Sequence, residues 1–209
     1  MRNRRASLWF IPLALYLVFW VWYTNLSGPL TDAEIESFLT TMTKNGAGQS
    51  RIDSMTKFMT SDNGNDLIMV NILDLNENPP DLPATGPNAS ASDLINHYMA
   101  HMYPAQLTRA SHPVFFGQAI HNAMDITGIE NAEHWDQGAL FRYRSRRDLL
   151  EIATDPAFAE RHDYKMGALD KTIAFPVDPT LHLSDLRLLL ALVLFSFVAL
   201  IDLLIYRRR

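Results

Sequence analysis

The chain has 209 residues, 48% hydrophobic and 20% charged, enough for one globular domain with accessory segments and too apolar for a disordered polymer. With no cysteine, disulfides, thiolate metal sites, iron–sulfur clusters and a cysteine nucleophile are excluded together. The net charge of −5 hides a division: residues 25–185 carry 11 basic and 22 acidic side chains, which argues against a nucleic-acid surface.

The first element is apolar. Leu8 to Tyr23, "LWFIPLALYLVFWVWY", follows Arg2, Arg4 and Arg5 and reaches membrane length with its neutral flanks. Pro29 sits awkwardly after the best small-residue pair, so an uncleaved anchor is favoured over a signal peptide. Thr31 with Glu34 is a capping-box pattern, and Ile35, Phe38, Leu39 and Met42 then recur at helical spacing. A second helix is expected after Ser50, with Ile52, Met55, Phe58 and Met59 on one face, which completes a helical hairpin.

"DLIMVNILDL", Asp66 to Leu75, is apolar at both alternating sets of positions, as in a strand covered on both faces. The proline-rich loop 76–91 follows, with the character of a lid, a partner contact or a solvated insertion. Ser92 is expected to open a helix carrying Leu94, Ile95, Tyr98 and Met102, which Pro104 bends or ends. "HPVFFGQAI" and "EHWDQGALFRY" are expected as antiparallel strands. Ser145 with Asp148 caps the next helix, Asp155-Pro156 starts another, and "KTIAFPV" closes as a strand. Last comes Leu188 to Tyr206, a second membrane-length run followed by Arg207, Arg208 and Arg209.

The expected fold class is α+β: a ferredoxin-like βαββαβ domain with an N-terminal helical hairpin, flanked by two transmembrane helices. The expected divisions are an anchor at 1–27, the hairpin at 28–64, the α/β domain at 65–180 and the second span at 181–209. Arginines at both outer ends place both termini in the cytoplasm and the central domain outside. Leu67, Met69 and Leu73 are expected on the sheet face away from the helices, where a second copy would cover them.

The pattern "W…RYRSRRDLLEIATDPAF" resembles the dimeric α/β-barrel superfamily, especially its small uncharacterised domain families, over roughly Asp66 to Asp178. That resemblance implies a homodimer and a choice among cofactor-free monooxygenases, haem-handling proteins, isomerases and ligand-binding modules. No catalytic motif carries over residue by residue.

Candidate site residues follow from chemistry. Asn71, Gln118 and Gln137 are amides inside apolar strands, and with Trp135 they are expected to line a ligand cavity or to knit the sheet. Pairing Gln118 with Gln137 also matches Phe116 with Ala139 and Val114 with Phe141. His121, Glu133 and His134 form the alternative metal or haem-ligand set. His97 and His101 have a two-ligand helical spacing but no third ligand, and a solvated face is the expected use. The arginines at 142, 144, 146 and 147 are expected in salt bridges rather than an anion site. Asp202 either pairs with Arg207 or contacts the first span, the former costing less. The expected function is a membrane-anchored, exported dimer that binds a small ligand or a membrane-protein partner, with no cofactor called for. The alternative is a membrane-tethered oxygenase, isomerase or haem-handling protein.

Overall fold

A computed structural model describes residues 2–206, with side chains for residues 4–206. Arg207, Arg208, Arg209 and the side chain of Arg2, on which the orientation reading leans, lie outside the described residues. Two compact units are present: residues 27–178, and the segments up to Leu26 and from Pro179 onward.

The terminal unit pairs α1 (Arg2–Tyr23) with α7 (Leu186–Tyr206). Within them, Arg4–Tyr23 and Leu186–Tyr206 are long and apolar enough to cross a membrane. They run antiparallel: Arg5 donates to both Asp202 oxygens at 2.8 Å, Trp9 meets Phe195 at 5.8 Å between ring centres, and Tyr16 Oη donates to Arg187 O at 3.2 Å. Asp202 thus reaches the first span through a two-pronged guanidinium contact, the costlier of the two expected arrangements.

The central unit begins with α2 (Asp32–Lys44) and α3 (Gln49–Thr60). Thr31 and Glu34 form the reciprocal capping box, whereas α3 starts on Gly48 rather than Ser50. The hairpin is not a separate body. Leu30 and Met59 share a buried cluster with Leu150 of α5 (Arg146–Thr154), and Phe58 packs against both this cluster and the main core.

Four strands, β1 (Leu67–Leu75), β2 (His112–Gln118), β3 (Gln137–Tyr143) and β4 (Leu169–Val177), make one antiparallel sheet in the order β2-β3-β1-β4. Between them run α4 (Ala91–Leu107), α5 and α6 (Pro156–Gly167). The α4 cap is Ser90, not Ser92, because Asp93 stands three residues after Ser90 and closes a reciprocal box, while Ile95 follows Ser92. Pro104 lies inside α4 without ending it.

The sheet faces differ from the expectation by one residue. Leu67 and Leu73 are buried in the main core with Leu94, Tyr98, Met102 and Ile152, and Met69 packs against it, so these odd positions of β1 face the helices. The open face carries Val70 and Ile72 of β1 with their partners Leu140, Phe175, Gly138 and Ile173. Phe115 joins that face opposite Leu140. A β-carbon on Gly117 would lie 2.8 Å from the tip of the Phe115 ring, so the glycine leaves the ring its seat.

Loop 76–91 is packed rather than free. Leu82 and Ala89 pack against the main core, Tyr164 Oη accepts from Ala84 N–H at 3.0 Å, and Pro80 closes on Gly167.

Candidate functional site

The register of β2 on β3 is Gln118↔Gln137, Gly117↔Gly138 and Phe116↔Ala139, as the amide pairing requires. Further along it departs: Pro113, not Val114, stands opposite Phe141, because Val114 is the extra residue of a bulge on this edge strand. Asn71 faces Ala139 across β1 and β3, and Leu73 faces Gln137, so all three amides share the helix-covered face.

The three differ in burial. Gln118 is exposed at the edge, Gln137 is half-buried, and Asn71 is only 6% exposed. Trp135 is elsewhere: its ring lies 4.9 Å from Lys171 Nζ, and Lys171 stands opposite Asp74 in the alternation that carries the open face.

What Asn71 meets is Lys165 of α6. Lys165 Nζ donates to Asn71 Oδ1 at 3.2 Å and lies 5.9 Å from the centre of the Tyr98 ring. Asn71 in turn donates to Met69 O at 3.3 Å. Burial pushes the Lys165 ammonium below its usual range, and burial raises the Tyr98 phenol. Tyr98 also touches Phe158 and His162, whose rings stack at 5.2 Å. His162 is lowered by burial first, then by Lys165 and Arg51. The Nδ1 of His162 and Nε2 of His101 are buried without a hydrogen-bond partner.

This layer between β1, α4 and α6 holds a cation, a phenol and an imidazole in apolar surroundings. Lys165 was not visible as a site residue from sequence. The available signal was its place seven residues after Phe158 and three after His162, on the stripe of α6 that packs inward.

His97 and His101 are half-buried rather than solvated. The His97 ring packs at 4.3 Å on Tyr164, since α6 crosses that face of α4. Each arginine of the run has an acid: Arg142 with Asp66, Arg144 with Asp148, Arg146 with Asp62 and Arg147 with Glu34. Arg146 also bonds Phe58 O, so the Arg146 and Arg147 contacts dock the hairpin on α5.

Of the alternative metal set, His134 turns toward β1, with Nε2 3.7 Å from Asp74 Oδ1 and 3.3 Å from Asp136 Oδ1. Among the described residues no three-ligand group includes His121 or Glu133. His121 Nδ1 instead lies 3.1 Å from Asn122 O, and both side chains are exposed on the loop.

No family model and no curated protein matches the sequence. A Rhodopseudomonas palustris protein of unknown function superposes with a TM-score of 0.51 at 18% identity, covering 62% of this chain and 94% of its own. Its methylated form gives 0.52 at 20% identity, covering 64% and 93%. The central unit is ferredoxin-like. Its βαββαβ order and its strand order decide that, and at this identity the fold is what the R. palustris protein shares. A dimeric ferredoxin-like protein of unknown function from Jannaschia sp. CCS1 is more distant, with a TM-score of 0.33 at 15% identity over 55% of this chain and 99% of its own. The ferredoxin-like unit therefore brings a sheet–helix layer, and the chemistry rests on what occupies it.

Proposed function

We propose that the protein is a membrane-anchored homodimer whose ferredoxin-like domain binds a small apolar anion, such as a carboxylate, in the layer around Lys165 and Asn71. One observation carries the reading. The Lys165 ammonium meets an amide oxygen and an aromatic ring, and burial is the sole cause of its shift, with no acid raising it. A buried cation with no paired charge is costly, and an anionic ligand would offset that cost. Gln118 and Gln137, on the same face, are proposed as outer polar contacts for the ligand's far end.

The dimer is proposed through the open sheet face, where Phe115 and Phe175 remain 53% and 46% exposed beside Val70 and Ile72. Anchoring is proposed through α1 and α7. Their antiparallel pairing supports termini on one side, and the arginines of the ends argue for the cytoplasmic side, with the acidic central domain exported. A membrane-tethered isomerase is the second reading. A lysine held below its usual range is a better proton acceptor at neutral pH, and the same residue would then serve as base.

Native mass spectrometry of the detergent-purified full chain tests the first reading. The expected result is a dimer carrying a small anionic molecule that is lost in Lys165→Met. An empty wild-type dimer, or the same adduct on Lys165→Met, would sink it.

A further inference from the structure

We propose that Asp74, His134 and Asp136 form a binding site for a divalent transition-metal ion at the end of β1. His134 Nε2 lies 3.7 Å from Asp74 Oδ1 and 3.3 Å from Asp136 Oδ1, and the three donor atoms all fall within 4.8 Å of one another. Two ligand atoms each about 2.1 Å from a common ion are separated by about 3.4 Å at the tetrahedral angle. The two histidine edges bracket that value, so small side-chain adjustments close the site.

The carboxylates are also held from behind. Asp136 Oδ2 accepts the Leu75 N–H at 2.7 Å, and Asp74 Oδ2 lies 3.4 Å from Lys171 Nζ. Each acid therefore has one oxygen engaged outside the trio and the other turned toward His134, the arrangement by which outer contacts orient metal ligands. Lys171 is fixed in its turn by the Asn131 carbonyl at 2.5 Å and by the Trp135 ring. A bulge where β1 leaves β4, between Asp74 and Leu75, re-aims the chain at this point.

One imidazole and two carboxylates favour zinc, cobalt or manganese over magnesium or calcium. The His134 side chain is 61% exposed, which gives an ion access and leaves room for water in the remaining positions. Two carboxylates, one ammonium and a divalent ion sum to a single positive charge, so Lys171 moderates the affinity without abolishing it. Without an ion, His134 faces the two aspartate oxygens at these distances. With one, the ion ties the segment joining β2 and β3 to β1, and this site is independent of Lys165.

Titration of the full-length detergent-purified protein with Co²⁺, followed by its visible absorption and by competition with Zn²⁺, reads the site directly. The expected result is one ion per chain, binding weakened at least tenfold by His134→Ala and by Asp74→Asn, and binding unchanged by His121→Ala. His134→Ala removes an exposed side chain and retains the fold, so it is the deciding variant. No saturable binding in the wild type, or wild-type affinity in His134→Ala, overturns the site.

Discussion

Replacing Lys165 with methionine keeps the aliphatic stem in its layer and removes the charge that burial penalises. Its folded pKa lies below the usual 10.5, so the penalty is present below the folded value and fades as pH rises toward 10.5. Lys165→Met is therefore expected to raise unfolding free energy, read by denaturant titration below the folded pKa. A lower stability would show that the ammonium is already well paired. His162 is depressed in the same layer, so the unfolded chain binds its proton first and stability falls as pH drops below the usual 6.5. Because Lys165 is one cause of that depression, His162 should titrate higher in Lys165→Met by NMR, and the acid loss should shrink. An unmoved His162 resonance would separate the two groups. Asn71 and the glutamines could be placed on one face from sequence, because a strand alternates strictly and the pairing leaves little freedom. Lys165 could not, since its burial comes from α6 meeting α4 and β1, contacts distant in the chain.

At the level of elements, Val70→Lys and Met69→Lys separate two uses of one strand. Val70 belongs to the open face, so its lysine should leave the monomer folded and shift the proposed dimer to monomer in analytical ultracentrifugation. Met69 packs against the main core, so its lysine should unfold the domain, at a cost of several kcal/mol, as loss of cooperative melting. An unaltered dimer in Val70→Lys would move the interface elsewhere. β1 was legible as a strand apolar on both sides, but that very symmetry hid which side met the helices. Caps were legible at Thr31 and Ser145, each with an acid three residues on, and slipped at Ser90, where Ser92 competed, and at Gly48, where Ser50 was expected. The Val114 bulge left no sign beyond the neighbouring proline.

For the molecule as a whole, the two apolar ends were evident from length alone, while their joining through Arg5 and Asp202 depends on a contact 197 residues apart. Asp202→Asn is expected to weaken the pairing of α1 and α7 in steric-trap or detergent-unfolding measurements. The swap Arg5→Asp with Asp202→Arg should recover most of the loss. Two additive losses would count against a specific pair. The same separation has a meaning in time. Arg5 leaves the ribosome 197 residues before Asp202, so at about 5 to 20 residues per second the interval is roughly 10 to 40 seconds. During that interval α1 is complete without its partner while the acidic middle of the chain is made. The closing of this pair therefore waits for α7 to be made, and a chain truncated before α7 never reaches it.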